Sequence, residues 1–207
     1  RPVQVVIAGK AHPRDEGAKR IVQVVFGIKG APVVGARVAY VEDYDLDVAR
    51  MLVAGCDVWV NLPRPPAEAS GTSGMKAAAN GALNMSVLDG WWAEGYQTEV
   101  GWAIGDRSEH DGHGDVHDAL ALYDLVERQI APEFYARDRD GVPRAWIERV
   151  RASMMRLTAR FSADRMVKEY VEQNKVGRPI IMTALRIRKW PDRPIDLGVI
   201  KDAAIHD

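Results

Sequence analysis

The sequence has 207 residues, 47% of them hydrophobic, which suffices for one sizeable α/β domain or two small ones and excludes global disorder. With 28 Lys and Arg against 29 Asp and Glu the formal charge is -1, so there is no bulk attraction to nucleic acid or an anionic membrane, and any anion site must be local. The lone cysteine, Cys56, excludes an internal disulfide and fits a reducing cytoplasm, and no apolar run approaches the ~20 residues of a membrane helix. The chain opens on Arg1 rather than Met, so it is expected to be a piece of something longer.

In chain order, VQVVIAG (3 to 9) predicts a strand, and Ala18, Ile21, Val22 and Val25 predict a helix within 13 to 26. RVAYVED (37 to 43) is a second strand, the stripe Leu46, Ala49, Leu52 and Val53 after Asp45 a second helix, and DVWVNL (57 to 62) a third strand. This βαβαβ order predicts one parallel sheet with right-handed crossovers, whose ligands bind in the loops beyond the carboxyl ends of its strands. EASGTSGMK (68 to 76) occupies such a loop, and MKAAAN continues it as a capped helix. Farther on, ALNMSVLDG (82 to 90) is a strand candidate, GWAIGDRSEHDGHGD (101 to 115) reads as a long polar loop, and helices are expected over about 116 to 130, 144 to 159 and 163 to 173. Residues 1 to 174 form the expected domain and 175 to 207 a poorly specified tail.

EASGTSGMK raises a chemical question. Gly71, Thr72, Ser73 and Gly74 place free N–H groups and two hydroxyls at a helix start, which suits an anion but serves equally as a plain cap. It is no Walker A loop, because Met75 separates Gly74 from Lys76. Lys76 stands in the first turns of the helix, where the dipole disfavours a cation. A bound phosphate would neutralise it, a Schiff base with an aldehyde would consume its neutral form, and a solvated surface lysine would need neither. Glu68, braced by Pro63, Pro65 and Pro66, offers a carboxylate to sugar hydroxyls.

EASGTSGMKAAANGALNMSVLDGWW closely resembles the pyridoxal-phosphate segment of the α-glucan (glycogen, maltodextrin) phosphorylases. AGKAHPRDEGAKRIVQ, VEDYDLDVARMLVAGCDVWVNLPR, EGYQTEVGWAIGD, FYARDRDGVPRAWIERVRASM and FSADRMVKEYVE resemble the bacterial branch, so the likeness runs from Arg1 to Glu172. It implies a Rossmann-like parallel sheet with flanking helices, the C-terminal lobe of a two-lobed (GT-B type) glycosyltransferase fold, incomplete at its N-terminal side. It implies that Lys76 carries pyridoxal 5'-phosphate, that Tyr44, Thr72 and Ser73 hold the cofactor phosphate, and that Glu68, Ser70 and Gly71 contact glucose, with Lys76 and Glu68 the catalytic pair. Ser73 and Gly74 stand where animal members have Gly and Asn, so a contact through that Asn side chain does not carry over.

The implied reaction is reversible phosphorolysis of α-1,4-glucan to α-glucose 1-phosphate, with glucan, phosphate and the missing N-terminal lobe as partners, a homodimer in the full-length enzyme and a cytoplasmic site of action. A basic segment that the family places upstream of RPVQVV is absent, so this chain alone is expected to be inactive. The alternatives are a nucleotide-sugar glucosyltransferase of the same fold and a non-catalytic carbohydrate- or phosphate-binding half-domain.

The remaining signals read as structure. His110, His113 and His117 with Asp111, Asp115 and Asp118 fit no closed metal-site spacing, and Asp138, Asp140 and Gly141 lack the closing positions of a calcium loop and suit a turn before Pro143. No metal is expected. The arginines from 137 to 165 interleave with acids as a solvated face, the Trp91 and Trp92 pair suits a core, and His12 suits a loop brace.

Overall fold

In a computed structural model, which describes residues 2–32, 34–66, 68, 70–105 and 114–174, the chain divides into two units, 1–161 and 162–207. The first alternates strand and helix. β1 (Val5–Ala8), α1 (Glu16–Lys29), β2 (Val38–Val41), α2 (Leu46–Gly55) and β3 (Val58–Asn61) follow the expected order, and Asp15 and Asp45 cap α1 and α2 by accepting from Ala18 N and Val48 N at 2.9 Å. Next come α3 (Thr72–Ala79), β4 (Leu83–Val87), α4 (Gly90–Gly95), β5 (Gly101–Ile104) and α5 (Gly114–Leu125). A π-helical stretch, Val126–Ile130, links α5 to α6 (Ala131–Tyr135), and another, Met154–Thr158, extends α7 (Arg144–Ser153).

All strand pairings are parallel, but the strands form two sheets where one was expected. β1 pairs with β2, and separately β3, β4 and β5 pair in that order. The difference follows burial: Val5 and Val6 are about half exposed, whereas every residue of β4 is buried. The first sheet is half-buried, with Phe26 of α1 against Tyr40 of β2, and only the second holds a fully buried strand.

The other correction is β5, read from sequence as the start of a polar loop. Gly101, Trp102 and Ile104 are buried, and Met85 stands opposite Trp102 in the ladder, so four residues of low polarity suffice to add an edge to β4. Residues 106–113, with His110, Asp111 and His113, and the expected tail lie outside the described residues. Among those described, no cluster of His, Cys, Asp or Glu is placed to hold a metal, and no helix is long and apolar enough to cross a membrane.

β4 organises the core. Leu83, Met85 and Val87 join Trp102, Ile104, Ile130 and Trp146 under α5 to α7, while Asn84 and Ser86, the alternate residues, face the other way. Each large apolar side chain so buried contributes about 1.5–3 kcal/mol. On the opposite side, Trp91, Trp92, Val100 and Leu157 gather around Ala78, with Trp92 Nε1 donating to Trp102 O at 3.1 Å. The tryptophan pair is core, as its position suggested, 4% and 0% exposed.

Arg149 ties the helices to this core, donating twice to Glu133 at 2.8 Å and standing 4.6 Å over the Trp102 ring. Asp138 accepts from Asp140 N and Val142 N at 2.9 and 2.8 Å and pairs with Arg144, which makes the segment a turn before Pro143. His12 Nδ1 accepts from Arg14 N at 3.2 Å, a loop brace. In the second unit, α8 (Ala163–Asn174) is capped by Ser162 Oγ, which accepts from Arg165 N, and carries the pairs Arg165–Glu169 and Lys168–Glu172.

Candidate active site

α3 is a helix of small residues. Gly74, Ala77 and Ala78, spaced i, i+3, i+4, are buried, which lets the helix lie close against β3 and β4. Thr72 and Lys76, spaced i, i+4, share the exposed face. Lys76 has no hydrogen-bond or ion-pair partner among the described residues. It is therefore not paired into the scaffold.

The loop before α3 is held by the start of α4. Glu68 N donates to Asp89 Oδ2 and Gly90 N to Asp89 Oδ1, each at 2.9 Å, and Trp91 N donates to Ser70 O at 2.8 Å. Gly71 turns into the helix with φ 83°, a left-handed conformation that disfavours any side chain. Glu68 and Ser70 are thus each tied to the residues at the start of α4. Glu68 Oε1 accepts weakly from Ser70 N at 3.4 Å, and its carboxylate is otherwise exposed.

The first turn has its own contacts. As first-turn groups Thr72 N and Ser73 N have no intrahelical acceptor, and among the described residues no other acceptor is bonded to them, so they can serve an anion. The Ser73 hydroxyl is engaged with β3, accepting from Trp59 Nε1 at 3.3 Å and donating to Asn61 Oδ1 at 3.4 Å. Gly74 is enclosed: a Cβ there would lie 2.6 Å from Asn84 Oδ1 and 2.9 Å from Trp91 Nε1. No side chain fits at this position without displacing one of these neighbours.

The structure brings Glu68, Ser70, Gly71, Thr72, Ser73 and Lys76 together in one continuous loop and helix start. Tyr44 lies apart in sequence, half-buried between β2 and α2, with no hydrogen bond to the described residues of this segment. An open depression of about 490 Å³ at the carboxyl ends of β1 and β2 is lined by residues including Lys10, Tyr40, Glu42 and Asp43. Tyr40 donates to Gly9 O across its floor at 2.6 Å. Sequence reasoning missed Asp89, Trp91 and Asn84 as the supports of the loop. A solitary amide in the otherwise low-polarity run ALNMSV was the available signal for Asn84.

The family described as carbohydrate phosphorylase matches residues 1–102, a stretch that holds every residue of this constellation. Over 173 residues the chain is 47% identical to a protein of Aquifex aeolicus named glycogen phosphorylase, covering 84% of this chain and 25% of that protein. The chain belongs to the carbohydrate phosphorylase family. Other members of the family named glycogen phosphorylase in Mycobacterium tuberculosis H37Rv and maltodextrin phosphorylase in Thermococcus litoralis are 48% and 47% identical over 174 and 175 residues. Those alignments take in 83% and 84% of this chain and 20% of each relative. This phosphorylase-family chain therefore spans a fifth to a quarter of the length of the relatives it matches.

Proposed function

We propose that the full-length protein containing this chain catalyses reversible phosphorolysis of α-1,4-glucan to α-glucose 1-phosphate in the cytoplasm. The chain supplies the C-terminal, cofactor-carrying lobe of a two-lobed glycosyltransferase fold. The observation that carries this reading is a lysine on the exposed face of α3, one turn from Thr72, with no hydrogen-bond or ion-pair partner among the described residues. The donor set fits pyridoxal 5'-phosphate: an amine for its aldehyde and a helix start for its phosphate.

When bound, the cofactor supplies a phosphate group that exchanges a proton with the substrate phosphate. Lys76 holds the cofactor by its amine. The N–H groups of Thr72 and Ser73 and the Thr72 hydroxyl bind and orient its phosphate, with Tyr44 as a further donor. Ser73 contributes through its backbone, since its hydroxyl is shared between Trp59 and Asn61. Glu68 would accept from glucose hydroxyls while Ser70 and Gly71 donate to others, holding and orienting the sugar. Asp89 fixes the Glu68 backbone and keeps this arrangement ready before substrate arrives.

The partners are glucan, inorganic phosphate, the N-terminal lobe and, in the full-length protein, a second copy of the chain. Incubating the full-length protein with maltodextrin and phosphate tests the proposal. Glucose 1-phosphate should accumulate, and this chain alone should release none. No glucose 1-phosphate, together with glucosyl transfer from a nucleotide sugar, would overturn the reading.

A further inference from the structure

β4 is buried along its whole length, and its other face is built of Leu83, Met85 and Val87. Asn84 breaks this chemistry. It is 0% exposed, its Oδ1 has no hydrogen-bond partner among the described residues, and its Nδ2 donates to Gly74 O at 3.1 Å. A buried acceptor left unmet has lost its hydration without replacement, so the amide opposes folding relative to an apolar side chain of similar size. Its presence calls for a role other than stability.

That role is visible in what the amide holds. Nδ2 adds a second donor to the Gly74 carbonyl, and Oδ1 closes the space where a Cβ on Gly74 would lie, with Trp91 on the other side. The hydrogen bond ties the Gly74 backbone to β4, and the absence of a Cβ lets it sit this close to Asn84 and Trp91. Lys76 follows two residues later on the same rigid turn, and the buried triplet Gly74, Ala77 and Ala78 sets its direction away from the sheet. We propose that Asn84 is a positioning residue for Lys76, its buried amide fixing, through Gly74, the place and angle of the helix that carries the lysine amine. This rests on Lys76 being the cofactor lysine.

The test compares full-length wild type with Asn84→Leu after removal and re-addition of pyridoxal 5'-phosphate. Three quantities are read: the thermal midpoint of the cofactor-free protein, the affinity for pyridoxal 5'-phosphate at Lys76, and the pH profile of the lysine-bound absorption. Asn84→Leu should keep or raise the midpoint yet bind the cofactor roughly fivefold to tenfold more weakly, with a shifted pH profile. A lowered midpoint with wild-type affinity and pH profile would show a merely structural residue and overturn the inference. Should Asn84→Leu fail to fold, Asn84→Ala, which only removes atoms, provides the same comparison. A wild-type protein that never carries the cofactor on Lys76 would instead overturn the reading of the site, and this inference with it.

Discussion

Replacing Gly74 by alanine should destabilise the chain, although the same replacement in a helix ordinarily stabilises it. The new methyl would sit 2.6 Å from Asn84 Oδ1, 2.9 Å from Trp91 Nε1 and 3.0 Å from Trp91 Cζ2. None of these neighbours is a free chain end: Asn84 is bonded to Gly74 O, and Trp91 is 4% exposed in the aromatic cluster with Phe161. Overpacking of this kind costs about 1–3 kcal/mol, against a helix-propensity gain of at most about 1 kcal/mol. The net expectation is a loss of about 1–2 kcal/mol.

Gly27 in α1 provides the control, because a methyl there meets nothing within 4 Å. Gly27→Ala should gain about 0.5 kcal/mol from propensity alone. Urea unfolding followed by circular dichroism reads both, and at a slope of roughly 2 kcal/mol per molar Gly74→Ala should lower the midpoint by about half a molar or more. A midpoint for Gly74→Ala at or above that of Gly27→Ala would refute the close seating of α3 on Asn84 and Trp91.

Arg149→Met should cost about 2 kcal/mol, since it strands the largely buried Glu133 and loses the Trp102 ring contact. Adding Glu133→Leu should recover part of the loss in the same urea assay, because no charge is then left unpaired. The hydrogen bond from Val142 N, aided by the Arg144 guanidinium, holds the Asp138 carboxyl below the usual aspartate value. Its stabilisation is therefore present above the unfolded-state value and fades as pH falls through the lower folded one, so Asp138→Asn should flatten the acid-side fall in urea midpoint. An unchanged acid slope would contradict this. Burial pushes the Cys56 thiol up, so iodoacetamide should alkylate it more slowly than a small free thiol at neutral pH and at an ordinary rate in denaturant.

Local signals were legible in the sequence wherever one element decided its own conformation. Asp45 caps α2 just ahead of its apolar stripe, as expected, while the helix at MKAAAN forms without the side-chain cap that its Ser/Thr/Gly start suggested, Gly71 being its N-cap residue. β5 was not legible, because Gly101 and Trp102 become strand residues only through pairing with Asn84 and Met85 in β4. The division into two sheets was hidden for the same reason: a strand pattern does not name its neighbour. At the site, the loop, the lysine and the sugar-facing residues lie in one continuous segment and could be read together. Their supports could not, since Asp89 lies 21 positions from Glu68 and Asn84 lies 10 from Gly74, distances that only the fold closes. The π-helical stretches after α5 and α7 left no signal in the apolar spacing.

The central claim is that Lys76 carries the cofactor. Borohydride reduction of the full-length protein after incubation with pyridoxal 5'-phosphate, followed by peptide mass mapping, tests it directly. A pyridoxyl group on the peptide containing Lys76, absent from Lys76→Ala, is the predicted result. An unmodified Lys76, or a pyridoxyl group that persists elsewhere in the variant together with its activity, would contradict it.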